Sequence, residues 1–171
     1  MTIGNDLAKI CKSLLFKQPF FGNFLLGLNK SERKDIPTAG VSKNGIGVQL
    51  VINPDFWKGL KNEAQKLFLL HHELLHIALQ HLTLRDSFSD KELFNISADL
   101  CINQMCDKEG IIDGAMTLEL FKTQYKIDLE PNQDTKYYYN KLLQEEQQNP
   151  KGKFAKDRAA GGFGGMHVTW R

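Results

Sequence analysis

His72, Glu73 and His76 stand in the run His71-His72-Glu73-Leu74-Leu75-His76. In a helix, residues four apart lie one turn above each other, so the imidazoles of His72 and His76 share a face. At that spacing two ring nitrogens reach one metal ion through bonds of about 2.0–2.1 Å. Glu73 points into a neighbouring sector, where a carboxylate can hold a metal-bound water and take its proton. This is the HExxH arrangement of zinc-dependent hydrolases.

The flanking residues Leu67, Phe68, Leu69, Leu70, Leu74, Leu75, Ile77, Ala78 and Leu79 make the helix apolar nearly all round, the mark of a buried helix. Imidazoles and a carboxylate in such a place need partners, because an unpaired buried polar group is costly. A metal ion satisfies all three.

A catalytic zinc takes three protein ligands and keeps a fourth position open. His81 lies nine residues after His72, about 180° round a continuous helix at 100° per residue. That places it as a cap or outer partner of the site rather than a ligand. The helix-breaking glycine of metzincins is also missing, because Leu79 stands there. Asp99 is the better third ligand. Asn95, Asp99 and Asn103 recur at i, i+4 and i+8, a polar stripe on an otherwise apolar helix, and an acid on such a stripe requires a cation. A salt bridge to Arg85 or Lys91 is the bland alternative. Glu92 is a second choice as ligand, although its place in a first helical turn is explained by capping.

The elements that must position these residues follow from periodicity. A helix is expected over 3–17, ending near Gln18-Pro19, and Phe20–Leu28 reads as a first strand or a helix end. Residues 29–44 read as a loop or irregular hairpin, and Gly45–Ile52 as a strand whose edge pairs with an extended substrate. Asn53 or Asp55 caps a helix that runs from Phe56 to Gln80 with a break near Gly59. Ser89-Asp90 caps a second helix, over about 90–107. Short helices are expected over 117–125 and 135–148. Residues 1–148 are expected to form one domain and 149–171 a flexible Lys- and Gly-rich tail. His167, in that tail, could reach back as a fourth, inhibitory ligand.

The totals narrow the class. The chain has 171 residues, 42% hydrophobic and 25% charged, the proportions of a globular domain. A net charge of +2, with basic residues grouped only at Lys30–Lys34 and Lys151–Arg158, argues against nucleic acid as a main partner. Cys11, Cys101 and Cys106 make no CxxC pair, which suits reduced thiols in a cytoplasmic protein. No segment reads as a signal peptide or membrane span.

Taken together, the run from Ile52-Asn53-Pro54 through His72-Glu73-Leu74-Leu75-His76 and His81 to Asn95-Ile96-Ser97-Ala98-Asp99 and Ile102-Asn103 resembles the metallopeptidase domain found ahead of VWA-like domains in bacterial and phage proteins. The closing Met166-His167-Val168-Thr169-Trp170 is similar to the segment that leads into that family's C-terminal part. The resemblance covers roughly residues 20–145. It implies an α+β, zincin-like fold in which a small mixed sheet packs on an active-site helix and a second ligand-bearing helix, with Asp99 as third ligand. The function expected is peptide-bond hydrolysis at a zinc held by His72, His76 and Asp99, with Glu73 as general base and a protein or peptide as substrate. The rival is a non-catalytic zinc-binding interaction module, whose structural site would be closed by four protein ligands.

Overall fold

The computed structural model describes residues 2–45 and 47–163. These form helices α1 (Gly4–Lys17), α2 (Pro19–Gly27), α3 (Pro54–Gly59), α4 (Glu63–Ala78), α5 (His81–Leu84), α6 (Lys91–Asn103), α7 (Leu118–Leu120), α8 (Thr135–Gln148) and α9 (Lys153–Ala159), and strands β1 (Asn29–Glu32), β2 (Ala39–Asn44) and β3 (Gly47–Ile52). The fold is α+β. The chain divides into two compact units, residues 2–82 with Cys106–Ile112, and Thr83–Met105 with residues 113–163.

In the first unit the sheet order is β1-β3-β2. β3 runs parallel to β1, with Lys30 opposite Leu50, and antiparallel to β2, with Val41 opposite Leu50. The β2–β3 hairpin turns at Gly45, whose φ of +59° suits a residue without a Cβ. β3 is thus the central strand, with both edges hydrogen-bonded. It cannot pair with a substrate as expected, and among the described residues the sheet's edges are β1 and β2. Leu50 and Ile52 of β3 join Val41, Trp57, Leu70 and Leu74 in one core.

The segment 20–28, expected as a first strand or a helix end, is helical as far as Gly27: Pro19 occupies the first turn of α2, where its missing N–H costs nothing. α1 and α2 approach closely at Gly22, where an added Cβ would stand 2.3 Å from the Leu15 Cα. The Asn53 cap is present, its side chain accepting from the N–H groups of Asp55 and Phe56. The helix that follows is broken as expected: α3 ends at Gly59, and α4 begins at Glu63. Asp6 ties three helices together. Its Oδ2 accepts from Trp57 Nε1 at 2.8 Å and from Lys66 Nζ at 2.6 Å.

In the second unit α6 packs along α8, and Leu93, Phe94, Leu100, Phe121, Tyr138 and Leu142 form its core. The stretch from residue 149, expected as a flexible tail, holds a further helix, α9. Lys153–Ala159 is helical, and Phe154 and Phe163 are buried in the same core. Two spaced aromatics supplied apolar area that the Gly- and Lys-rich average concealed. Arg158, on α9, donates to Glu146 at 2.5 Å and Asp90 at 2.5 Å. His167 and the segment around it lie outside the described residues. None of the three cysteines is in a disulfide. Among the described residues no helix is long and apolar enough to cross a membrane.

Candidate metal centre

α4 starts on a reciprocal cap. The Asn62 side chain accepts from the Gln65 N–H at 2.9 Å, and Gln65 Oε1 accepts from the Lys61 N–H at 2.8 Å. Two donors at the helix start are thereby satisfied. From there the helix runs through the core of the first unit, against α1, α2, β2 and the segment at Lys108–Gly110. That last contact requires a glycine: a Cβ on Gly110 would stand 2.3 Å from the Ala64 carbonyl oxygen.

The histidines of α4 have divided roles. His71 is buried with its ring 4.5 Å, edge-on, from that of Phe21. Burial holds its imidazole below the ordinary histidine pKa, and the adjacent His72 adds to this. His71 is therefore a neutral packing residue, a role that spacing alone did not reveal. His72 is half-buried and His76 almost wholly so. Their Nε2 atoms are 3.0 Å apart. Two nitrogens bound tetrahedrally at about 2.0–2.1 Å would be about 3.3 Å apart, so the pair is set nearly at chelating distance. Glu73, between them in sequence, is 1% exposed.

His81 does not follow the continuous-helix geometry. α4 ends at Ala78, and Gln80 takes a left-handed φ of +55° before α5 starts. The break swings His81 back towards α4, with its Nδ1 2.9 Å from His76 Nδ1. The sequence carried no glycine or asparagine at position 80 to announce this turn.

On α6, Asp90 is the cap, accepting from the Leu93 N–H at 2.9 Å. Burial raises the Asp90 carboxyl, but Arg158 and the helix-start N–H groups outweigh it and hold the pKa below the usual value. The stripe Asn95, Asp99 and Asn103 is buried along its whole length. Asn103 donates to the Met116 carbonyl at 2.8 Å. Lys91, a candidate salt-bridge partner for Asp99, instead donates to the carbonyls of Arg85 and Phe88, both at 2.7 Å. Glu92 is within 3.4 Å of Arg158 and belongs to that surface ion-pair cluster.

Of the sequence-predicted ligands, His72 and His76 stand on α4 in the first unit and Asp99 on α6 in the second. Two imidazoles and a carboxylate are a donor set of metal-dependent hydrolases. The chain belongs to the family described as "Putative metallopeptidase domain", which matches residues 3–166. No curated protein and no solved structure matches it.

Proposed function

We propose that this protein is a zinc-dependent peptidase of zincin type, with His72, His76 and Asp99 as ligands and Glu73 as general base. The observation that carries the reading is the pair of Nε2 atoms 3.0 Å apart on one buried helix turn, beside a glutamate. The donor set fits zinc: borderline-soft imidazole nitrogens and a hard carboxylate, three in number. When bound, the ion supplies Lewis-acid polarisation of a carbonyl and brings the acidity of water towards neutral pH.

The protein's own residues supply the rest. Glu73 accepts the proton of the attacking water and delivers it to the departing amide nitrogen. Its burial strengthens electrostatic interactions at the reacting centre. β2 is the sheet edge that packs on α4, and its more accessible stretch, Ser42–Asn44, offers backbone to an extended peptide. A closed structural site has four protein ligands and no need of a carboxylate such as Glu73 beside it, which supports a catalytic over a structural centre.

The test is cleavage of a peptide library by zinc-loaded protein, with Glu73→Gln in parallel. Cleavage that chelation and Glu73→Gln both abolish is expected. Cleavage that survives Glu73→Gln at full rate would remove Glu73 from its role.

A further inference from the structure

We infer that His81 is the positioning residue of the metal centre: it accepts a hydrogen bond from His76 Nδ1–H and so fixes the tautomer in which His76 Nε2 faces the ion. The inference rests on the reading of His72 and His76 as ligands.

His76 has two ring nitrogens and each has a close nitrogen neighbour: Nε2 stands 3.0 Å from His72 Nε2, and Nδ1 stands 2.9 Å from His81 Nδ1. Two bare nitrogens at such distances repel, so each close pair requires a shared proton or a cation between its members. A metal ligand must present a lone pair. Once both Nε2 atoms do so, the proton of neutral His76 has only Nδ1 to occupy. The atom waiting there is His81 Nδ1, which must then be bare, with the His81 proton on its own Nε2. One tautomeric arrangement satisfies both of these contacts at once.

The backbone is arranged for this contact. On a continuous helix His81 would point away from His72. The left-handed Gln80 ends α4 and brings the ring back to His76, at the cost of an unfavourable conformation for a residue with a Cβ. His81 is 2% exposed and His76 1%, so water does not compete for the bond. Metal-bound histidines commonly hold their second nitrogen on a carboxylate or carbonyl. Here an imidazole does so, which makes the acceptor itself dependent on its tautomer.

The experiment compares zinc affinity of the full chain, measured by competition with a chromophoric chelator, for wild type, His81→Asn and His81→Leu. Asparagine places a carbonyl oxygen near the position of Nδ1, whereas leucine fills the space with no acceptor. His81→Leu is expected to weaken zinc binding about 10–100-fold while still binding about one zinc per chain, and His81→Asn to recover most of that loss. Unchanged affinity in His81→Leu, or an equal loss in both variants, would overturn the inference. So would a cobalt(II) spectrum showing one nitrogen ligand fewer in either variant, since His81 would then be a ligand. Should His81→Leu not fold, ¹⁵N NMR of the zinc-loaded wild type decides: protons on His76 Nδ1 and His81 Nε2 are required, and any other placement contradicts it. A wild type that binds no zinc at all would instead sink the underlying metal-centre reading, and the inference with it.

Discussion

The Nε2 atoms of His72 and His76 face each other across 3.0 Å, within about 0.3 Å of the separation two nitrogens adopt on one tetrahedral ion. The helix that carries them is held at its start by the Asn62–Gln65 cap and along its length by core packing.

Glu73→Gln tests the division of labour between ligands and base. The amide keeps the size of the side chain but cannot take a proton. Zinc content should be retained and the rate of peptide hydrolysis should fall about 10²–10⁴-fold. Single-turnover cleavage beside metal analysis of the same preparation reads both.

Gly110→Ala should destabilise the fold, because the new Cβ would meet the Ala64 carbonyl oxygen at 2.3 Å and Phe68 Cβ at 2.9 Å. Both neighbours are on α4 and neither is the far end of a flexible side chain. A loss of about 1–3 kcal/mol is expected from overpacking, read by urea unfolding.

Gln80 offers the opposite experiment. Its φ of +55° costs a side-chain-bearing residue about 1 kcal/mol that glycine is spared. Gln80→Gly should therefore hold or raise the melting temperature. Gln80→Val, β-branched, should lower it and disturb the His76–His81 contact.

Asp90 gives a pH prediction with a fixed sign. Its folded pKa lies below the ordinary carboxylate value, so it contributes stability that is complete above about pH 5 and is lost as pH falls through the folded pKa. Asp90→Asn keeps the helix cap but lacks the charge facing Arg158. The variant should lose stability near neutral pH and show a shallower decline on acidification, in denaturant titrations from pH 7 to pH 3.

How much of this was legible in the sequence differs from residue to residue. The shared turn of His72 and His76 on α4 was, because i, i+4 spacing within an apolar run is a local property that the fold cannot rearrange. The stripe on α6 was legible for the same reason, as were the caps at Asn53 and Asp90. Non-local features were hidden. β3 is central because β1 and β2 both pair with it, and no feature of Gly45–Ile52 itself states which of its edges is occupied. α2 was legible only as a strand or a helix end because Phe20, Phe21, Phe24, Leu25 and Leu26 are as common in sheets as in buried helices. The place of His81 hung on one dihedral angle at a glutamine, a residue that rarely marks a left-handed turn.

The most direct test of the account is zinc content and affinity of the purified chain, wild type beside Asp99→Ala. The account predicts about one tightly held zinc per wild-type chain and a loss of at least about 100-fold in affinity without the Asp99 carboxylate. A wild type that takes up no zinc, or an Asp99→Ala variant that holds it undiminished, would contradict the ligand set on which the proposed peptidase depends.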